Sequence, residues 1–297
     1  MTRLARRSAA VAAGLALDGL FGDPPDAWHP VAWFGRMASG AERLWWADEA
    51  ERGRWFAAGG AAAGAAAASR VLLPIALAAC VGARTLGAAA RRVAGALEGG
   101  DIDRARELIP WLVGRDPEAL DSGGLARATI ESVAENTVDA VIAPAFWALA
   151  AGSLGVGGHR AINTLDAMVG HHTPRHREFG RASARADDAL AWLPARVTAG
   201  LVVAARPNRV SHVWRAVRRD APAHPSPNAG VAEAAFAGAL DLTLGGPVVY
   251  AGVSQSRPTL GRGAEPGIRD IERAVRLLED IVVIIAAGTG AAAAGAR

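Results

Sequence analysis

The chain has 297 residues, 51% hydrophobic and 21% charged, which is too apolar for a disordered polypeptide and ample for a sizeable core. Aromatic residues make up only 5% while glycine alone contributes 35, so closely packed helices suit this composition better than a β-sandwich. A net charge of +3, with basic residues gathered only in short runs such as Arg215, Arg218 and Arg219, argues against nucleic acid as a partner, and the lone Cys80 excludes an intrachain disulfide framework or a cysteine-based metal site.

In chain order, Arg3, Arg6 and Arg7 precede an apolar stretch from Ser8 to Leu17. This has the first two parts of a signal peptide, but it runs into Asp18 and the turn Gly22-Asp23-Pro24-Pro25 without a small-residue cleavage site, so a retained membrane-associated or buried helix is expected. Ser39 to Arg54, rich in charge and carrying Trp45 and Trp46, reads as an amphipathic helix at an interface. Two uncharged blocks follow, Trp55 to Ser69 and Val71 to Ala83, in which Ala61 to Ala68 is a low-complexity Ala/Gly tract. Arg91 to Glu107 reads as a charged, solvent-facing helical stretch.

Ala140 to Gly158 is the clearest long uncharged segment, and at about 1.5 Å per residue it nearly crosses a roughly 30 Å hydrocarbon layer. Ala189 to Ala205 is a further apolar region, interrupted by Arg196, and Ile281 to Ala296 is an uncharged stretch near the end of the chain. The mean hydropathy of +0.17 is low for a wholly transmembrane chain, yet these segments are too many and too long to be soluble core alone. The reading is an all-α, polytopic integral membrane helical bundle with amphipathic and polar connecting segments, one domain over 1–297. A soluble protein of Ala-rich helices is the alternative.

Four polar segments carry candidate chemistry. Asp18 and Asp23, flanking a turn and followed by His29 and Arg36, offer carboxylate oxygens for Mg²⁺ and a guanidinium for phosphate; helix caps and a turn histidine are the plainer reading. Glu131 and Glu135 share a helical face by their spacing of four, with Ser132, Asn136 and Asp139 on a neighbouring stripe, and their mutual repulsion calls for a cation or basic partner; otherwise this is a wet helix surface. Asn163, Asp166 and Gly170 fall on one side of a helix, and Arg175, Arg177, Arg181 and Arg185 follow closely enough to line a phosphate pocket. The chain has no lysine, so an ordinary P-loop is excluded, and His171, His172 and His176 lack the companions of a zinc site. Finally, His224-Pro225-Ser226-Pro227-Asn228 is a rigid approach to a helix that Asn228 can cap, with Glu233 one turn in; a mere capping turn is the alternative, and Leu244-Gly245-Gly246-Pro247 forms a later break.

Taken together, these pieces resemble the CobD/CbiB family of cobalamin biosynthesis, adenosylcobinamide-phosphate synthase. The resemblance is carried by Asp18 to Asp23 with His29-Pro30, Glu131 to Asp139 with Val141-Ile142-Ala143-Pro144, and Asn163 to Gly170. It continues through Phe179 to Asp188 with Trp192 to Arg196, His224 to Glu233 with Gly238-Ala239-Leu240, and Leu244 to Tyr250, in the family's order from about residue 11 to 278. Pro174 and Asp241-Leu242-Thr243 depart from the family's pattern.

The resemblance implies a multi-pass protein of the cell inner membrane that joins adenosylcobyric acid to (R)-1-aminopropan-2-ol or its O-phosphate, with ATP as activating co-substrate and Mg²⁺ as metal. The lipid bilayer and other cobalamin-pathway enzymes are the implied surroundings. On that footing Asp18 and Asp23 are metal candidates; Arg36, Asn163, Asp166, Arg181, Arg185 and Asn228 are ligand-binding candidates; and Glu131, Glu135, Asp139, His224 and Glu233 are catalytic candidates. A transporter, or a corrinoid-binding accessory protein, is the alternative; no internal inverted repeat of the transporter kind is visible.

Overall fold

The structure, a computed structural model, describes residues 1–113, 117–170, 175–250 and 253–296. The first helices are α1 (Arg3–Phe21), α2 (Pro30–Trp45), α3 (Ala50–Ala68), α4 (Leu73–Ala78), α5 (Ala83–Glu98) and α6 (Ile102–Leu108). After two short 3₁₀ turns come α7 (Ser122–Thr137), a π-type turn over Val138–Ile142, α8 (Ala143–Ala151), α9 (Ser153–Val169), α10 (Arg181–Ala205), α11 (Val210–Asp220) and α12 (Ala229–Leu240). A two-stranded antiparallel hairpin, β1 (Leu244–Tyr250) and β2 (Val253–Leu260), precedes the long α13 (Ile268–Gly295). Contacts group the chain into two compact units: Met1–Gly82, Asp139–Pro194 and Ile285–Arg297 form one, Ala83–Val138 and Ala195–Ile284 the other.

Among the described residues, three helical stretches are long and apolar enough to cross a membrane: Leu73–Glu98, Arg181–Ala205 and Ile268–Gly295. In the last, only 22% of the apolar window is buried within the protein, as suits a surface covered by lipid. The chain is an all-α membrane protein; among the described residues the departures are the hairpin, which begins at the break over Leu244-Gly245-Gly246-Pro247, and a single β-bridge between Leu242 and Ala264.

Several segments read as continuous are interrupted, each for a local reason. The helix expected over Ser39 to Arg54 stops at Trp45 and resumes at Ala50. Between them Asp48 leaves the helical path so that its Oδ1 accepts the backbone N–H groups of Glu178, at 2.8 Å, and Phe179, at 3.0 Å. Ala140 to Gly158 is not one helix: α8 ends at Gly152, whose φ of 69° is open to glycine, and Arg7 Nη1 donates to the freed carbonyls of Leu149 and Ala150 at 3.0 and 2.6 Å. Arg91 to Glu107 breaks at Gly99-Gly100, after which Asp101 caps α6 by accepting from Arg104 N at 2.9 Å. Within Leu73–Glu98, a turn at Ala79–Gly82 separates α4 from α5.

The Ala/Gly tract is a packing surface and not mere low complexity. In the first unit α3 lies against α9, and the backbones meet where Gly64 faces Gly157: a Cβ on either residue would collide with the other's carbonyl oxygen. Gly60 likewise leaves room for the Leu165 side chain. Small residues at this crossing let two helices gain dispersion contacts that larger side chains would prevent.

Candidate functional site

In the unit built from Ala83–Val138 and Ala195–Ile284, the prolines after α11 hold the chain out of the helix until α12 begins. His224 is extended, and Ser226 Oγ accepts the N–H groups of Asn228 and Ala229 at 3.3 and 3.2 Å. The capping side chain is therefore Ser226, not Asn228 as the spacing suggested. Asn228 is at the N-cap position, but its Oδ1 instead accepts from Arg196 Nη1 at 2.9 Å. Gly230 permits the fold-back, because a Cβ there would run into His224.

The His224 ring is held from one side and faces an acid on the other. Its Nδ1 lies 3.1 Å from both the backbone N–H and the carbonyl oxygen of Ser226, so this one residue fixes the ring through whichever role the nitrogen takes. Nε2 lies 3.9 Å from Glu233 Oε2, an ion-pair separation, and both side chains are only 3% exposed. An imidazole and a carboxylate enclosed in this way suit proton transfer away from bulk water.

On α7, Glu131 is 2% exposed and its Oε1 accepts from Gly245 N at 2.6 Å, tying the helix to the start of β1. Glu135, one turn later, is exposed, so the two carboxylates differ in environment despite their shared face. Ser132 Oγ donates to the Leu112 carbonyl at 2.8 Å, and Asn136 Nδ2 donates back to the Ser132 carbonyl at 3.0 Å. Asp139 belongs to the other unit.

That other unit holds the remaining candidates. Asp18, on α1, is 1% exposed; Asp23 Oδ1 stands 3.6 Å from His29 Nε2, while His29 Nδ1 accepts from Val31 N to cap α2. Arg36 Nη1 reaches the Asp26 carbonyl at 3.4 Å. Asn163 links two neighbours, its Oδ1 accepting from Arg160 Nη1 at 3.2 Å and its Nδ2 donating to Asp187 Oδ1 at 3.3 Å. Asp166 Oδ1 lies against Gly170, leaving no space there for a Cβ. Arg181 is paired with Glu178 at 2.8 Å on the surface, and Arg185 is exposed. His171, His172 and Pro174 lie outside the described residues, whereas His176 Nε2 meets Glu42 Oε1 at 2.9 Å. Among the described residues no three His, Cys, Asp or Glu side chains gather as a metal-binding group.

Sequence reasoning missed several charged residues. Arg219 forks onto Asp220 at 2.6 and 2.7 Å, and Asp220 Oδ2 also accepts from Gly261 N at 2.9 Å. Burial raises the Asp220 carboxyl, but the Arg219 fork and the Gly261 N–H outweigh it and hold the group below the usual carboxylate value. Nothing local marks Gly261 as the partner of a residue so far upstream. Arg127, by contrast, precedes Glu131 by four, a spacing that places both on one helical face.

Comparison with known proteins agrees with this arrangement of segments. The family described as CobD/Cbib protein matches residues 11–278. A protein of Mycobacterium tuberculosis named cobalamin biosynthesis protein CobD is 45% identical over 285 residues, covering 91% of each chain. Proteins of the same name from Chromobacterium violaceum and Brucella anthropi are 43% and 37% identical; the first covers 89% of each chain, the second 89% of this chain and 90% of its own. No solved structure matches. A match that takes in all four polar segments, with relatives similar along nearly their whole length, means that this chain belongs to the CobD/CbiB family.

Proposed function

We propose that this protein acts in cobalamin biosynthesis as a multi-pass enzyme of the cell inner membrane, ligating adenosylcobyric acid to (R)-1-aminopropan-2-ol or its O-phosphate at the expense of ATP. The observation that carries this reading is family membership over residues 11–278. The enclosed pair His224 and Glu233 supports it chemically.

A carboxylate is a poor electrophile, so the corrin propionate first takes the γ-phosphoryl group of ATP, releasing ADP and leaving an acyl phosphate. The amine then attacks the acyl carbon, the C–N bond forms, phosphate departs, and the amine loses a proton. Glu233 is the proton acceptor in this reading, and the His224 ring, 3.9 Å from its carboxylate, is the group to which that proton can pass on. Glu131, Glu135 and Asp139 remain assigned to amine or metal handling, and Arg36, Arg181 and Arg185 to phosphate, with Asn163, Asp166 and Asn228 as further ligand contacts.

Asp18, whose Oδ1 is shut off from solvent, and Asp23 are the residues that would hold Mg²⁺, in the manner usual for nucleotide sites, where one or two carboxylates share the ion with substrate phosphates. When bound, the metal offsets charge on the transferred phosphoryl group.

Detergent-purified protein is to be given adenosylcobyric acid, Mg·ATP and each amine, with ADP and corrinoid product followed by mass spectrometry. An amide that requires all three components is the expected result, and Glu233→Gln is expected to lower its rate by roughly 10²-fold. Folded protein that binds corrinoid but yields no amide with either amine overturns the proposal.

A further inference from the structure

Arg127 and the double-glycine turn at the start of β1 have no part in the reaction sketched above. Arg127 lies one turn before Glu131 on α7, so both side chains leave the same face toward the hairpin. Glu131 is engaged by the Gly245 N–H, yet Arg127 Nε is shut off from solvent without a hydrogen-bond partner, and no ion pair joins Arg127 to any described residue. A guanidinium stays charged at every accessible pH, and burial of one of its N–H groups without a hydrogen-bond acceptor is costly.

The hairpin supplies a second observation. Gly245 and Gly246 both have positive φ, 78° and 88°, and the register is irregular between Gly245 and Pro247, so that Gly246 has no partner across the strands. A Cβ on Gly246 would stand 3.6 Å from Arg127 Nη1, so the guanidinium lies alongside the backbone of the bulge. A bulge glycine of this kind marks close approach by another group. Beside backbone that carries no Cβ, the planar guanidinium presents paired N–H donors in the fork geometry that phosphate oxygens accept.

We infer that Arg127 and Gly246 form a phosphate-binding subsite in the unit that also holds Glu131. The subsite goes beyond the ligase reading and does not require it. Its phosphate can belong to a nucleotide, to a phosphorylated amino alcohol or to free inorganic phosphate.

The test is titration calorimetry on the detergent-purified full chain with inorganic phosphate, ATP and (R)-1-aminopropan-2-ol O-phosphate, with the unphosphorylated amino alcohol as control. Wild type is expected to bind at least one phosphate compound, and Arg127→Gln to weaken that compound by roughly tenfold or more while leaving the control unchanged. Arg127→Lys, which keeps the charge but loses the planar fork, is expected to fall between the two and decides the matter if Arg127→Gln does not fold. The compound whose affinity falls identifies the source of the phosphate. Wild-type affinity for all three compounds in both variants, no phosphate binding by wild type, or an equal loss for the unphosphorylated control would each overturn the inference. Amide formation is not read, so failure of the ligase reading leaves this result intact.

Discussion

Between α3 and α9 the chain closes on itself with glycine: Gly64 and Gly157 bring two backbones so near that neither tolerates a Cβ. Around α7, α11 and α12 it closes with carboxylates, Glu131 holding Gly245 N and Asp220 holding Gly261 N. The difference follows from what each region has to bury. Two regular helices satisfy their own backbone groups and need only close contact, whereas the ends of a hairpin present N–H groups that must find acceptors once water is excluded. Glycine therefore does the joining where the backbone is regular, and acidic side chains do it where the backbone is not.

The sharpest way to break this contrast is to put a side chain into the glycine contact. Gly157→Val is expected to destabilise the protein by about 3 kcal/mol, since backbone rather than a movable side chain stands in the way. Thermal unfolding in detergent reads this as a large fall in melting temperature, and an unchanged melting point would show that α3 and α9 can part freely. Next in size, Glu131→Ala leaves the buried Gly245 N–H without its acceptor and is expected to cost about 2 kcal/mol, while Glu131→Gln, which keeps an acceptor, restores much of the loss. Equal losses in the two variants would mean that charge, not the hydrogen bond, holds the hairpin.

Asp220→Asn tests the second carboxylate tie and is expected to cost about 1.5 kcal/mol, because one amide oxygen still serves Gly261 while the Arg219 fork is broken. Denaturant unfolding in mixed micelles would measure it. The smallest effect is expected at Asp48, whose carboxyl is held below its ordinary value first by the Phe179 N–H and then by that of Glu178. A depressed carboxylate contributes stability that is complete above about pH 4 and is lost as the pH falls through the folded value. Asp48→Asn is therefore expected to flatten the acid limb of a melting-temperature profile and to leave its alkaline limb unchanged. Parallel acid limbs in the two proteins would remove Asp48 from the account.

Much of the fold class was legible in the chain because apolar length is a local property. Ala189 to Ala205 lies within α10 and Ile281 to Ala296 overlaps the second half of α13, each in a stretch able to cross a membrane. Helix ends were less legible where their causes are distant. The Ala140 to Gly158 stretch looks unbroken, yet Arg7, some 140 positions earlier, receives the carbonyls at the end of α8. Within the candidate site, the rigid approach to α12 could be read from Pro225 and Pro227, since proline restricts its own backbone wherever it stands. That Asn228 serves Arg196 and leaves the cap to Ser226 could not, because both are plausible caps by type.

By itself, then, the sequence determined the helical class, the membrane character, the glycine-rich tract and the order of the polar segments that mark the family. Each depends on composition and spacing along one chain. Tertiary structure alone decided that the Ala/Gly tract is a contact surface, that Glu131 Oε1 accepts from Gly245 while Arg127 Nε beside it has no hydrogen-bond partner among the described residues, and that His224 turns toward Glu233. Hydrogen bonds and close contacts select partners by distance in space, and neither Gly157 nor Gly245 carries any mark of the residue it will meet.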